Sequence, residues 1–351
     1  MSRIYAVTIV LFAAATASAA TARLESRWLT LEVDKAAGPW ALIDARSGVR
    51  WPTTGMASAG AAQELSSGFT EKEESQAGKA VVLRTKSGAE VVFQLIREGR
   101  SLEIRYGGKD AGDVSVLGDA LTITDTEKGY VVVPCREGLL IPADSGKSFA
   151  RTFGTSDYEG CHMNMLGFAK SGSALIADWD DAYTFPEVKS ARLENEAAKQ
   201  RLTTTFRLRR TARVVRLTPL GTGDWNTIAT GYRAIAEQKG LAVTLRQKMD
   251  RNPHMANLVG ASNVKLWTCL ARRMSEDSKK EESVNVRWTF DEAARIAEHL
   301  KNDVGIDRAL FMKGGWTEGG YDCRHPDNLH ANPECGGNEA LADACLLYTS
   351  Y

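Results

Sequence analysis

The sequence predicts a multidomain protein in which a large all-β domain is followed by the start of an α/β barrel. The chain has 351 residues, of which 43% are apolar and 25% charged, an ordinary globular composition and enough for about two domains. From residue 23 to about 220, short β-branched segments alternate with Gly, Asp, Ser and Lys. Helical periodicity begins only after that point.

Many short strands separated by turns are typical of two packed sheets. One hairpin is explicit, because Ala45–Gly48 places a glycine late in the turn between two apolar segments. The predicted strands are too many for a small immunoglobulin-like unit, so the sequence favours a large β-sandwich over residues 23–222. They are Trp28–Val33, Ala41–Asp44, Val49–Trp51, Ala80–Thr85, Glu90–Arg97, Leu102–Tyr106, Gly129–Val133, Leu139–Ile141, Leu166–Ala169, Ala174–Asp178, Thr203–Leu208 and Ala212–Leu217.

A helical connector is predicted over residues 223–254. An i, i+3, i+7, i+10 apolar pattern begins at Trp225, and Gly240 ends that helix. A second short helix is predicted over Val243–Asp250, before Pro253.

Residues 255–345 alternate strand and helix, which is the order that begins a parallel sheet. A polar insertion from Arg272 to Ser283 is predicted to be a solvated loop. Thr289 and Glu292 have the spacing of a helix capping box. The other predicted elements are a strand at Ser262–Trp267, a strand at Arg308–Met312 and a helix from Asn338. A (β/α)₈ barrel takes roughly 250 residues, so this region would supply only its first two strands.

The N-terminal 22 residues are predicted to be a signal peptide. Arg3 precedes an apolar run from Ile4 to Ala15, and Ala17-Ser18-Ala19 has the pattern of a cleavage site. We therefore expect a secreted or periplasmic protein whose signal ends near residue 19 or residue 22. The apolar run is shorter than the ~20 residues of a bilayer-spanning helix, so no membrane span is expected after cleavage.

The C-terminus and the cysteines suggest two further expectations. Residues 346–351, LLYTSY, resemble a translated sequencing adapter, so we expect them to be foreign to a natural protein that continues further.

Six cysteines fit an oxidising compartment, and Cys323 and Cys335 bracket a polar loop that a disulfide between them would close. Buried free thiols are the alternative.

Charge and motifs exclude some classes of function. The 44 basic and 44 acidic residues give a net charge of zero, so no nucleic-acid partner is predicted. Neither Gly314-Gly315 nor Gly319-Gly320 has the G-x-G-x-x-G spacing of a dinucleotide site, and no cofactor is predicted.

The loop Lys313–Gly337, KGGWTEGGYDCRHPDNLHANPECGG, is the candidate site. It follows a predicted barrel strand, and such loops build barrel active sites. Aromatic rings can stack on a sugar, while carboxylates and histidine hydrogen-bond its hydroxyls, so we expect a carbohydrate partner. The candidate substrate-binding residues are Trp316, Glu318, Tyr321, Asp322, His325 and Asp327.

Other interpretations remain open for these residues. The loop would also be consistent with a polar surface turn. Asp322, His325, Asp327 and His330 are metal-ligand types, but no strong ligand spacing accompanies them, so no metal is predicted. The segment Asp178–Asp181 would form either a ligand edge or a turn with a packed tryptophan.

The motif GWTEGGYDCRHPD resembles a stretch in the endo-α-N-acetylgalactosaminidases of glycoside hydrolase family 101 and in related bacterial secreted proteins. The segments GYVVVPCREGLLIP, ALIADWDDAY and GYRAIAEQKGL extend the resemblance over nearly the whole mature chain. It implies a galactose-mutarotase-like β-supersandwich before a (β/α)₈ TIM barrel that is truncated here. By position, Asp322 matches the sugar-contacting aspartate, while Thr317, Tyr321 and Cys323 depart from the pattern and leave the sugar open.

The resemblance also implies a retaining mechanism with two carboxylates about 5–5.5 Å apart. In the family these come from later barrel strands, so the catalytic residues are expected beyond the end of this chain, and the chain itself is expected to be inactive. The partner would be an oligosaccharide or a glycoprotein glycan. The alternatives are a non-catalytic carbohydrate-binding or cell-surface β-sandwich protein and a metal-dependent hydrolase.

Overall fold

A computed structural model describes residues 21–34, 39–53, 69–74, 80–85, 88–108, 113–194, 198–277, 281–320 and 329–349. The chain divides into two compact units, Met1–Ala242 and Val243–Tyr351. Most of the described secondary structure is β-sheet, with few helices. No described helix has both the length and the apolar character needed to cross a bilayer.

The described part of the first unit contains strands β1 to β18 and one α-helix, α1 at Trp225–Gln238. The strands are β1 Thr21–Glu25, β2 Leu29–Asp34, β3 Trp40–Asp44, β4 Arg50–Pro52, β5 Phe69–Glu74, β6 Ala80–Thr85, β7 Ala89–Ile96, β8 Ser101–Gly108, β9 Val114–Val116, β10 Ile123–Thr124, β11 Tyr130–Val133, β12 Leu139–Pro142, β13 Phe149–Thr152, β14 Met165–Lys170, β15 Ser173–Asp178, β16 Thr184–Arg192, β17 Gln200–Leu208 and β18 Val214–Thr222.

These strands form three antiparallel sheets. The largest has nine strands in the order β12-β11-β14-β15-β18-β8-β7-β6-β5. A five-stranded sheet has the order β10-β17-β16-β13, with β9 also paired to β17, and a four-stranded sheet has the order β1-β2-β3-β4. The predicted hairpin is confirmed, since β3 and β4 pair across the turn that contains Gly48.

One hydrophobic core joins the three sheets. Trp40 of the four-stranded sheet meets Phe93 of the nine-stranded sheet edge to face, with ring centroids 5.8 Å apart. Trp179, which directly follows β15, makes the same kind of contact with Phe206 of the five-stranded sheet at 5.5 Å. All four rings are buried, and edge-to-face pairs add about 0.5–1.5 kcal/mol beyond the burial of their area.

The nine-stranded sheet is covered on both faces around β14 and β15, where every residue is buried. In β15, Leu175 belongs to the main core, whereas Ile176 contacts a second cluster that includes Ile228 and Ile235 of α1. The predicted amphipathic helix is thus confirmed. Its apolar face packs on the outer side of the sheet.

Strand β16 was not predicted from the sequence. It pairs with β17 over its whole length and with β13 on its other side. Pro186 argues against a strand in the middle of a sheet, because proline cannot donate to the ladder. In the structure its carbonyl still accepts from the Phe153 amide at 2.8 Å. Strands β1, β5, β9, β10 and β13 were also missed.

The second unit contains an α/β segment. Its elements are α2 Leu245–Arg251, β19 Ser262–Trp267, β20 Cys269–Met274, β21 Glu281–Val286, α3 Phe290–Asn302, β22 Ala309–Gly314 and α4 Gly337–Thr349. Strands β19 and β22 pair in parallel, with α3 between them along the chain. This confirms the predicted strand-helix-strand order. The α4 helix extends into the expected foreign tail, as far as Thr349.

The predicted loop at Arg272–Ser283 is wrong, although its described residues are mostly exposed as expected. This stretch falls largely within an antiparallel hairpin formed by β20 and β21. Cys269 at one end of the hairpin is buried in an apolar cluster, and Val284 and Val286 pack against that cluster. These few inward side chains anchor a hairpin whose remaining sequence is polar.

Candidate functional site

The candidate site begins at the carboxyl ends of β19 and β22. The two strands are in register, with Trp267 opposite Gly314. Thr268, which follows β19 and is fully buried, donates to the Gly314 carbonyl from its amide at 2.9 Å and from its hydroxyl at 3.0 Å. The Thr268 carbonyl in turn accepts from the Arg287 amide at 2.7 Å. These bonds fix both strand ends and the end of the hairpin at one edge.

Gly315 sets the direction in which the loop leaves β22. Its φ is +70°, which L side chains rarely adopt. A Cβ at this position would lie 2.0 Å from the carbonyl oxygen of Cys269. Only glycine fits both the backbone conformation and this close approach, so the residue has a specific structural role at the start of the loop.

A short antiparallel pairing closes the base of the loop. Thr317 forms an isolated bridge with Ala331. On either side of this bridge, the Glu318 amide donates to the His330 carbonyl at 2.8 Å and the Asn332 amide donates to the Trp316 carbonyl at 2.9 Å. This pairing therefore holds together the two ends of the stretch between residues 318 and 330.

Of the six predicted substrate-binding residues, two are described. Trp316 and Glu318 are both half-buried in the paired base of the loop. The Trp316 side chain packs against the apolar cluster that contains Phe290 and Cys335. This packing anchors the start of the loop, and part of the residue remains exposed.

The other four predicted residues, Tyr321, Asp322, His325 and Asp327, lie outside the described residues, as does Cys323 of the predicted disulfide. In the sequence they lie between Thr317 and Ala331, which form the isolated bridge. Among the described residues, no group of three or more His, Cys, Asp or Glu side chains is arranged to hold a metal ion.

A partly buried lysine begins the loop. Lys313 is the penultimate residue of β22, and its Nζ is 5.6 Å from the centroid of the Phe290 ring. Burial lowers the pKa of the Lys313 ammonium, while the nearby Cys345 acts in the opposite direction. The first residue of the loop is thus a cation that is partly shielded from water.

Two tryptophans at this edge were not among the predicted site residues. Trp267 ends β19, and its ring covers Gly314 so closely that a Cβ there would lie 2.4 Å from a ring carbon. Trp288 follows the hairpin, its amide donates to the Thr268 carbonyl at 3.4 Å, and its side chain is 42% exposed. The signal in the sequence was a tryptophan immediately before the Thr289 helix cap, at the position of a strand-to-helix loop.

The other acidic candidate, Asp178–Asp181, belongs to an ion-pair network in the first unit. Asp178 is fully buried and accepts from Arg97 at 2.8 Å on each oxygen and from Lys239 at 2.9 Å. Asp180 accepts from Lys239 at 2.7 Å and forms an ion pair with Arg216 at 2.7 Å. Burial raises the pKa of Asp180, but these two cations outweigh it and hold the pKa below its usual value.

Packing and pairing therefore account for this segment. Trp179 is fully buried against Phe206, and the first two aspartates are engaged by basic side chains. Of the two interpretations of the sequence, the packed tryptophan turn fits the structure, and we assign no ligand edge to it.

Three solved structures of the α-N-acetylgalactosaminidase NagBb from Bifidobacterium bifidum are similar to this chain. The ligand-free form is 18% identical with a TM-score of 0.70. The GalNAc complex and the Gal-NHAc-DNJ complex are each 20% identical, with TM-scores of 0.71 and 0.69. Each match covers 93% of this chain and 57% of that chain.

The chain has a glycoside hydrolase-like fold. It spans little more than half the length of the NagBb structures that it matches. No family model matches the sequence, and no curated protein matches it. At this level of identity the likeness shows the fold alone.

Proposed function

We propose that this chain is part of a glycoside hydrolase that acts on α-linked glycans, and that the Lys313–Gly337 loop forms one wall of its sugar subsite. The observation that carries the proposal is the fold similarity to NagBb across 93% of this chain. NagBb is an α-N-acetylgalactosaminidase, and one of its structures is a GalNAc complex. The expected partner is an oligosaccharide or a glycoprotein glycan.

The proposal includes a galactose-mutarotase-like β-supersandwich followed by the first strands of a (β/α)₈ barrel, as in glycoside hydrolase family 101. The parallel pairing of β19 and β22 around α3 supports the barrel. So do Leu310 and Met312 of β22, which are 41% and 38% exposed. Parallel sheets are normally covered on both faces, so a two-stranded parallel sheet with exposed apolar side chains fits the beginning of a larger one.

The location of the loop supports its role in binding. It leaves the carboxyl end of a parallel strand, where barrel enzymes build their active sites. Trp316 and Glu318 are fixed in its base by the pairing with His330 and Asn332. We assign the direct sugar contacts to the residues that lie between Glu318 and His330 in the sequence, with Asp322 as the principal hydrogen-bonding carboxylate.

The chemistry would be retaining hydrolysis. One carboxylate attacks the anomeric carbon to form a glycosyl-enzyme intermediate, and a second protonates the leaving oxygen and then activates water. We assign both carboxylates to barrel strands that follow this chain in the complete protein. The signal peptide predicted at the N-terminus would deliver that protein to the periplasm or the medium, where glycans are accessible.

A binding experiment with this chain tests the subsite. Methyl α-glycosides of galactose, N-acetylgalactosamine and glucose would be titrated in turn, with NMR detection of contact between sugar and protein. We expect saturable binding of at least one glycoside, weakened about tenfold by Trp316→Ala because stacking on the aromatic ring of the loop is lost. Tyr158→Ala is the matched control, since Tyr158 is a strongly exposed ring of the first unit.

Two outcomes would overturn the proposed subsite. One is the absence of binding by folded protein to all three glycosides, and the other is an equal loss of binding in the Tyr158→Ala control. If the chain binds a glycoside but the complete protein hydrolyses none, the result supports a non-catalytic carbohydrate-binding protein.

A further inference from the structure

Two buried cysteines of the first unit lie on neighbouring backbone segments. Cys135 is 3% exposed and Cys161 is 2% exposed, and both belong to the main hydrophobic core. Both are thiols in this structure. They follow different strands and have no part in the proposed sugar subsite, which lies in the second unit.

The backbone holds the two residues on adjacent segments. The His162 amide donates to the Pro134 carbonyl at 2.8 Å, which joins the segment after β11 to the segment before β14. Cys135 directly follows Pro134 and Cys161 directly precedes His162, so each cysteine is next to one partner of this bond. A disulfide requires the two Cα atoms to lie roughly 4.4–6.8 Å apart.

The side chain of Cys135 is already directed toward the other segment. Its Sγ donates to the carbonyl oxygen of Glu159 at 3.1 Å. Glu159 is two residues before Cys161, whose own amide donates to Phe153 at 3.4 Å. The contact from Cys135 Sγ to Glu159 is independent of the bond between His162 and Pro134. Both contacts place the segment that contains Cys135 beside the segment that contains Cys161.

The surroundings favour a structural bond over a reactive thiol. Burial raises the pKa of the Cys161 thiol to about 12, and the nearby Cys135 acts in the same direction. Thiolate is the nucleophilic form, so a folded protein would hold very little of it at neutral pH. Oxidation of the pair would therefore occur during folding, before the core excludes solvent.

We propose that Cys135 and Cys161 form a disulfide when this chain folds in an oxidising compartment. Two thiols lose two protons and two electrons, and an S–S bond forms between them. The electrons reduce a disulfide oxidant such as oxidised glutathione to two thiols by exchange through a mixed disulfide. The inference does not depend on the proposed sugar subsite, and it requires only the oxidising environment that the N-terminal sequence predicts.

The disulfide would close a chain segment that contains edge strands of two sheets. The closed segment from Cys135 to Cys161 contains β12, an edge strand of the nine-stranded sheet, and β13, an edge strand of the five-stranded sheet. Closing this segment in the unfolded chain reduces its conformational entropy, which favours the folded state. The disulfide would act where the sheets end and where the ladder supplies hydrogen bonds on one side only.

Peptide mapping of the whole chain tests the inference directly. The protein is refolded in a glutathione redox buffer, free thiols are alkylated in denaturant without reductant, and a non-reducing tryptic digest is analysed by mass spectrometry. We expect the peptide that contains Cys135 to be linked to the peptide that contains Cys161. The linked pair should be lighter than the two reduced peptides by the mass of two hydrogen atoms.

Stability gives the second readout. We expect the melting temperature of the oxidised protein to fall by roughly 5–10 °C on reduction. Cys135→Ser and Cys161→Ser should each abolish both the linked peptide and this shift, whereas Cys345→Ser, an exposed cysteine, should retain both. Alkylation of both core cysteines in the oxidised wild-type protein would overturn the inference, and so would linkage of either one to a different cysteine. Because the map uses the wild-type chain, it remains decisive even if a serine variant fails to fold.

Discussion

Arg97 donates one hydrogen bond to each carboxylate oxygen of Asp178, both at 2.8 Å, and the Asp178 side chain has no exposed surface. Lys239, the residue that follows α1, donates to the same carboxylate at 2.9 Å. These ion pairs therefore connect the last residue of β15 to the residue that follows α1, the helix that packs on the same sheet. A buried carboxylate with two cationic partners is a feature whose removal should be costly.

We predict that Asp178→Asn lowers the free energy of unfolding by about 3–5 kcal/mol, because Arg97 and Lys239 lose the charge that compensates their partial burial. Urea denaturation followed by tryptophan fluorescence measures the change. Glu237→Gln is the control, since Glu237 pairs with Arg233 on the exposed surface of α1. This control should change stability by less than about 0.5 kcal/mol. Similar small effects of both substitutions would contradict the account of the network.

Acidification should weaken the same network through Asp180. Despite its partial burial, the salt bridges with Lys239 and Arg216 hold the folded-state pKa of Asp180 below its ordinary value of 3.8. A depressed carboxylate pKa contributes stability that is present above the unfolded-state pKa and is lost as the pH falls through the folded-state value. We therefore expect wild-type protein to lose more stability below about pH 4 than Asp180→Asn does. Parallel stability profiles between pH 2 and pH 6 would argue against these ion pairs.

Two glycines of the second unit allow the cost of a left-handed backbone conformation to be measured separately from the cost of steric crowding. Gly305 and Gly315 have similar φ values, +76° and +70°, but a Cβ would enter open space at Gly305 and lie 2.0 Å from the Cys269 carbonyl at Gly315. We predict that Gly305→Ala costs about 1 kcal/mol, from the left-handed conformation alone. Gly315→Ala should cost about 2 kcal/mol more, because the backbone must also move. The difference is measured from the unfolding transition of the second unit, and equal costs would contradict the geometry of the loop start.

Local signals predicted a large part of this fold. The capping box at Thr289 and Glu292 forms as expected, with the Thr289 amide donating to the Glu292 carboxylate at 2.9 Å and the Glu292 amide donating to the Thr289 hydroxyl at 3.2 Å. The strand at Ser262–Trp267 has the predicted bounds. In both places the decisive interactions lie within a few residues along the chain, which is why the sequence alone was sufficient.

Elements stabilised from a distance were harder to predict. Strand β16 contains Pro186 and three charged residues, and it exists because β17 and β13 pair with it on both sides. The β20–β21 hairpin has few apolar residues and depends on a cluster formed with α3 and α4. No local pattern encodes these contacts.

The candidate site followed the same rule. Its loop could be found from residue types and from its place after a strand. The position of Trp288 at the same edge follows from the bond between its amide and the Thr268 carbonyl, a contact that residue types alone do not give.

The proposed sugar-binding role of the loop predicts a loss of catalytic efficiency in one variant of the complete gene product that contains this chain. Asp322→Ala should lower kcat/KM for an aryl α-glycoside at least tenfold, equivalent to about 1.4 kcal/mol of transition-state stabilisation. Asp343→Ala, at an exposed position of α4, is the control and should leave kcat/KM unchanged. Unchanged kinetics in Asp322→Ala would remove this residue from the subsite.

The most direct test of the central claim is the identity of the first sugar anomer that the complete protein releases from an aryl α-glycoside, followed by NMR before mutarotation mixes the products. A retaining glycoside hydrolase predicts the α-anomer as the first product, because two successive inversions restore the starting configuration. Release of the β-anomer first would contradict the retaining mechanism. Failure of the folded protein to hydrolyse any α-glycoside would contradict the proposed activity itself.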